Sequence, residues 1–308
     1  MIRKDKLHIV LLVAVLLLCI AANGSVPTYE AGRTLSDLAG TAALADGPPE
    51  TGAEEAEITV PAAESAAPEE GALVPLYING VLHSECLVVD GVARMSLGRF
   101  ATLAGLSYDG QAIGGVTPEL GEGGEYAVVN GRCFYLPGGL YALGGELLWP
   151  LREIARMFSC AVSWDEAGSI NLDLTNVGLL AGGDEYYNET DVYWLSRIIY
   201  AESGNQSLAG QIGVGNVVLN RVADPAFPDS VFGVIFDRSC GVQFSPVETG
   251  AIYSTPDEEA VVAAKLALEG CNTAGESLYF VNPDIGSGGW FAATLDYVTT
   301  IGDHDFYA

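Results

Sequence analysis

Apolar and polar positions divide the 308-residue chain into four stretches. An unbroken apolar run from Ile9 to Ala22 follows Arg3, Lys4 and Lys6. From Ser25 to Ala72 no apolar period is sustained, and Ala, Glu, Gly and Pro dominate. From Leu73 to Leu174 short apolar runs end in Asn-Gly turns and alternate with brief helical stripes. Beyond Thr190 the stripes lengthen to whole helices.

The third stretch contains an internal repeat. Tyr77-Ile78-Asn79-Gly80 matches Val128-Val129-Asn130-Gly131, each a strand run entering a hairpin turn in which both turn residues tolerate positive φ. Met95 to Ala104 then corresponds to Trp149 to Phe158, where Pro150 suits the first turn of a helix. The copies end alike, in Tyr108-Asp109 and Val162-Ser163-Trp164-Asp165. Each half reads as strand, turn, strand, helix and short strand, and the two halves are expected to cover one shared sheet. This predicts a small α+β module over 73–175.

Gly182-Gly183-Asp184-Glu185 marks the boundary to a last domain, 186–308. Its first helix, capped by Thr190 or Asn188, places Leu195, Ile198 and Ile199 on one stripe. The i, i+3, i+4, i+7 series from Leu195 continues to Glu202, so a carboxylate falls on the apolar face beside the Ser203-Gly204-Asn205-Gln206 turn. Burial and the negative end of the helix dipole would lift it from about 4.3 to roughly 5–6. The alternative is an ion pair with Arg197 or Arg221. A second helix, capped by Ser207 and running through Arg221, is apolar on nearly every side and is expected to be central. Its Gly210, Gly213 and Gly215 suggest close approach of another backbone, and Asn216 and Asn220 lie on one face, tying backbone or meeting a polar ligand. Ser230 caps a short helix, Thr255-Pro256-Asp257-Glu258-Glu259 starts another that stops at Gly270, and Leu278–Val281 and Tyr297–Ile301 read as strands. The domain is thus mainly helical with a small sheet.

Composition and charge narrow the function. Asp and Glu number 40 against 13 Lys and Arg, a net charge of -27, which excludes a reader of nucleic-acid phosphates and docking on anionic lipid by charge. The apolar run is shorter than a span of about 20 residues, and small residues precede a cleavage point after Gly24, so 1–24 reads as a signal peptide, with an uncleaved anchor as the alternative. Residues 25–72 read as an acidic linker. A secreted chain follows. Cys19 leaves with the signal peptide. Cys240 and Cys271 would close a loop of about 32 residues if bridged, and are otherwise two small apolar residues. His83 has no partner His at ligand spacing, and no metal or other cofactor is called for.

Asn130-Gly131, Pro150-Leu151-Arg152 and Val162-Ser163-Trp164-Asp165 resemble the stalk-like N-terminal domain of copper amine oxidases, a likeness that implies no copper chemistry. The module is read as a spacer or a binding module. In the last domain Ile199-Tyr200-Ala201-Glu202, Gly210 to Val222, Phe227-Pro228, Gln243-Phe244-Ser245-Pro246 and Ile301 to Tyr307 resemble the cell-wall hydrolase family of the spore cortex-lytic enzymes. The resemblance implies that the secreted chain lies in the cell wall or spore envelope, with the first module open to contact with another wall protein.

The resemblance implies a lysozyme-like fold and cleavage of peptidoglycan glycan strands by lytic transglycosylation, with Glu202 as the catalytic acid. Where family members often carry a second Glu four positions on, this chain has Gln206. A hydrolytic scheme would need a second acid at about 5–9 Å, for which Asp237, Glu248 and Asp284 are available. Aromatic faces and planar amides suit sugars, so Gln243, Phe244, Tyr279, Asn282 and Trp290 are cleft candidates, with Ser203, Asn220, Ser245 and His304 beside them. A glycan-binding wall protein without catalysis is the rival reading.

Overall fold

The computed structural model describes residues 71–239, 241–285 and 288–308. The expected signal peptide, nearly all of the linker, and Cys240 with its bridge to Cys271 lie outside the described residues.

The N-terminal module opens with β1 (Ala72–Ile78), β2 (Val81–Val89), β3 (Val92–Ser96) and α1 (Leu97–Ala104). After β4 (Glu119–Leu120), β5 (Tyr126–Val129) and β6 (Arg132–Tyr135) come β7 (Tyr141–Leu143), β8 (Glu146–Pro150), α2 (Leu151–Met157), β9 (Ala161–Trp164) and β10 (Ile170–Asp173). Both Asn-Gly pairs turn as their chemistry dictates: Asn79 and Gly80 have φ of 50° and 79°, Asn130 and Gly131 51° and 76°, the doubly positive turn whose twist matches a hairpin. Seven strands form one sheet in the order β7-β8-β3-β2-β1-β10-β9. It is antiparallel except where β1 and β10 run parallel, with Leu76 opposite Ile170.

The second hairpin departs from the expected shared sheet. β4, β5 and β6 make a separate three-stranded sheet. Side-chain alternation explains why: Ala127, Val129 and Phe134 face the core of the N-terminal module, whereas Tyr126, Val128, Cys133 and Tyr135 face the core of the last domain. A hairpin apolar on both faces is stable only as a buried layer between two cores. The module is therefore no free spacer; it is packed against the domain that follows.

Polar groups seal the same junction. Arg132, on β6, reaches Glu269 with Nε to Oε1 and Nη2 to Oε2, both 2.7 Å. Tyr187 donates its hydroxyl to Glu269 Oε1 at 2.9 Å and accepts the Cys133 N–H at 3.0 Å. Arg156 donates to the Glu269 main-chain carbonyl and pairs with Glu153 at 2.7 Å.

The last domain begins with α3 (Gly183–Tyr186), α4 (Glu189–Ser203) and α5 (Leu208–Ala223), followed by α6 (Val231–Ile235), α7 (Ser245–Thr249) and α8 (Glu258–Leu268). After β11 (Tyr279–Val281) come α9 (Gly288–Thr294), β12 (Tyr297–Ile301) and β13 (His304–Tyr307), and the three strands form a sheet in the order β11-β13-β12. α5 is the buried central helix, enclosed chiefly by α4 and α8. Its glycines admit side chains rather than backbone. A Cβ on Gly213 would sit 2.9 Å from the Phe306 ring, and one on Gly215 3.1 Å from Ile199 and 3.2 Å from Ala267. Within the run Thr255 to Glu259 that starts α8, Asp257 is the cap, its Oδ1 accepting the Ala260 N–H at 2.9 Å.

Candidate active site

Asn188 caps α4 by accepting the Thr190 and Asp191 N–H groups. From there the helix buries Leu195, Ile198 and Ile199 completely. The same stripe delivers Glu202 to the last turn, where it is half-buried. Two local bonds hold that turn. Ser203 Oγ donates to the Ile199 carbonyl at 2.8 Å, and the Gly204 N–H to the Tyr200 carbonyl at 3.0 Å.

Glu202 opens into a cavity of about 470 Å³. One wall is the end of α4, from Tyr200 to Asn205. The other is formed by Ala251, Ser254 and Asp257, at the turn that leads into α8. Burial alone pushes the Glu202 carboxyl up to about 7, because a desolvated carboxylate prefers its neutral form. Among the described residues no cation pairs with it. Arg197 lies over the Tyr193 ring at 3.6 Å and donates to the Tyr193 carbonyl. Arg221 donates Nε to the Leu278 carbonyl at 2.7 Å and sits among the rings of Phe227, Phe244 and Tyr279 at 5.1–5.3 Å. Neither of the ion pairs considered for Glu202 is formed.

Of the other residues expected to bind or act on substrate, only Ser203 lines this cavity, and its hydroxyl is spent on the helix. Asn220 donates to the Gly275 and Ser277 carbonyls, both at 2.9 Å, and Asn216 ties Cys271 and Thr273. Phe244 and Tyr279 are buried in apolar clusters. Gln243 is half-buried and donates to the Gly241 carbonyl at 3.2 Å, while Ser245 is exposed at the start of α7. Asn282 accepts the Asp284 N–H at 3.0 Å. His304 is buried beside the Phe280 ring at 5.3 Å, and burial lowers its pKa. Trp290 packs edge-on to Phe291, 5.4 Å between ring centres.

Gln206 has a defined task. Its Oε1 accepts the Asp303 N–H and its Nε2 donates to Asp303 Oδ2, each at 3.0 Å. This clasp fastens the turn after α4 to the β12–β13 hairpin. Asp257 is the carboxylate that sequence reasoning missed as a cavity residue. It was legible as part of a helix start, but nothing in a linear pattern tells that this start folds against residue 202. Among the described residues no cluster of three or more His, Cys, Asp or Glu could hold a metal ion, and no helix is long and apolar enough to cross a membrane.

A carboxyl raised toward neutrality in an open cavity can both give and take a proton, and comparison with known proteins narrows the class of protein that carries it. Residues 205–307 match the Cell Wall Hydrolase family, the match beginning three residues after Glu202. The chain is similar to the spore cortex-lytic enzyme of Halalkalibacterium halodurans, 34% identical over 142 residues, covering 46% of this chain and 42% of that one. It is also similar to the spore cortex-lytic enzymes of Bacillus cereus (37% over 120 residues, 39% and 45% of the two chains) and Bacillus subtilis (34% over 120 residues, 39% and 38%). The chain thus spans less than half the length of these curated relatives. Among solved structures, the catalytic domain of the germination-specific lytic transglycosylase SleB from Bacillus anthracis is 35% identical, with 42% of this chain and 100% of that one covered and a TM-score of 0.37. The chain carries a cell-wall hydrolase domain in its last part.

Proposed function

We propose that this protein is a secreted enzyme of the cell wall or spore envelope that cuts peptidoglycan glycan strands between N-acetylmuramic acid and N-acetylglucosamine by lytic transglycosylation. The observation that carries the reading is Glu202, half-buried at the mouth of the cavity with its pKa raised to about 7 and with no cation paired to it among the described residues. Such a group is protonated often enough near neutrality to act as an acid and, once ionised, as a base.

Protonated Glu202 donates to the glycosidic oxygen, and the bond from that oxygen to the anomeric carbon of muramic acid breaks. The resulting carboxylate removes the proton from the muramic C6 hydroxyl as its oxygen closes on the anomeric carbon. The products are a free hydroxyl on the departing sugar and a 1,6-anhydro end; no water is consumed, and Glu202 is protonated again. One carboxyl is sufficient. Gln206 has no part in the chemistry on this reading, because both ends of its amide are committed to Asp303. The names of the similar proteins favour spore cortex as the wall attacked.

The test is mass spectrometry of the material released from purified peptidoglycan. Anhydromuropeptides are expected from the native chain and none from Glu202→Gln. Release of reducing-end products only would replace transglycosylation by hydrolysis.

A further inference from the structure

Aromatic side chains crowd one exposed face of the last domain. Trp194 on α4 has Tyr193 and Phe236 at 4.9 Å, Phe232 at 5.5 Å and Tyr253 at 6.3 Å between ring centres, all edge-to-face. Burial does not account for the cluster, since Tyr193, Phe232 and Tyr253 are 45%, 49% and 65% exposed. Large aromatic rings held in fixed orientations at a surface mark a binding face.

Its position says what it binds. Trp194 lies seven residues before Ala201, on the same side of α4, and Ala201 lines the cavity. Tyr253 lies in the turn between Ala251 and Ser254, which both line the far wall. The patch therefore begins where both walls of the cavity end. A polymer seated across Glu202 and leaving past these walls runs onto the rings. With 40 acidic residues against 13 basic ones, the chain has little positive charge with which to hold a wall polymer. Stacking on the C–H faces of pyranose rings needs none.

We propose that Trp194, Phe232 and Tyr253 form a remote platform for the sugar rings of the same glycan strand, beyond the bond that is cut. This rests on the reading of the cavity as a glycan cleft. The platform gives the enzyme a preference for long strands over short fragments.

The test uses the full chain carrying Glu202→Gln, so that probes are not consumed, and uncharged β-1,4-linked N-acetylglucosamine oligomers of two and six sugars titrated by calorimetry. The hexamer is expected to bind more tightly than the dimer. Tyr253→Ala and Phe232→Ala should each weaken hexamer binding about five- to tenfold with dimer binding unchanged. Tyr253→Trp should restore it, and Leu82→Ala, an exposed apolar residue of the N-terminal module, should have no effect. Thermal melting of each variant establishes that it is folded. Normal hexamer affinity in folded Tyr253→Ala and Phe232→Ala proteins would overturn the platform, as would sedimentation showing that these changes only dissociate a dimer. Failure of the cleavage reading is separable: a native chain that releases no fragments but binds hexamer through Tyr253 keeps the platform and loses the enzyme.

Discussion

Arg132 and Glu269 form a two-pronged ion pair across the junction of the two modules, with side chains only 8% and 1% exposed. The planar guanidinium matches both carboxylate oxygens at once, which an ammonium cannot do. Tyr187 and Arg156 complete the shell around the carboxylate.

Removing one member of such a pair strands a buried charge. Arg132→Ala is expected to destabilise the protein by about 3 kcal/mol, the lower end for buried pairs, because Arg156 and Tyr187 remain beside Glu269. Arg132→Lys should recover only part of this. Urea denaturation followed by circular dichroism measures both.

Glu202 carries a stability signature besides its proposed chemistry. Its pKa is raised from 4.5 to about 7, so the folded state holds the proton more tightly than the unfolded chain. The carboxyl is neutral in both states below about 4.5 and costs nothing there; as pH rises from 4.5 to 7 the unfolded state ionises first and stability falls, and above 7 the full penalty is in place. Glu202→Gln should therefore stabilise the protein by about 1–2 kcal/mol at pH 8, a figure reduced for partial exposure, and by nothing at pH 4. Activity of the native chain should fall as pH rises above 7, where the acid form is lost. Melting temperatures at the two pH values and a rate profile on purified peptidoglycan check the two halves.

Gln206→Glu tests the clasp. The new side chain could still accept the Asp303 N–H, but it would lose the donor to Asp303 Oδ2 and set two carboxylates against each other. We expect a loss of about 1 kcal/mol, faster amide exchange in the β12–β13 hairpin and no gain in activity. Adding Asp303→Asn should restore stability. A marked rise in activity would instead point to a two-acid mechanism.

Asp257 is both helix cap and cavity wall, and the two roles can be separated. Asn caps as well as Asp, whereas Ala costs about 1 kcal/mol. Asp257→Asn should thus melt like the native protein but lower kcat by about tenfold if the negative charge stabilises a cationic sugar in the transition state. An unchanged kcat in Asp257→Asn would confine this residue to capping.

Much of the fold was legible because it rests on local rules. Asn79-Gly80 and Asn130-Gly131 had to turn, Ser207 had to cap, a cap was due at Asn188 or Thr190, and the stripe through Leu195, Ile198 and Ile199 had to carry Glu202 toward the interior. The far wall was not legible, since Ala251, Ser254 and Asp257 meet Glu202 only through the packing of α8 on α4 and α5. Nor was the fate of the second hairpin, because alternation tells that a strand has two faces but not which core each will meet. The cleft candidates Phe244 and Tyr279 show the converse difficulty: an aromatic suited to a sugar is equally suited to a core.

The two-faced hairpin makes the modules a single unit of inheritance. Exchanging the N-terminal part for an unrelated one would leave α8 without the cover that β6 gives it and Glu269 without its guanidinium. Changes at Cys133, Tyr135 or Arg132 must be answered by changes some 130 residues away. Whatever reshapes the last domain over time does so under the veto of a β-ribbon that lies outside its cavity.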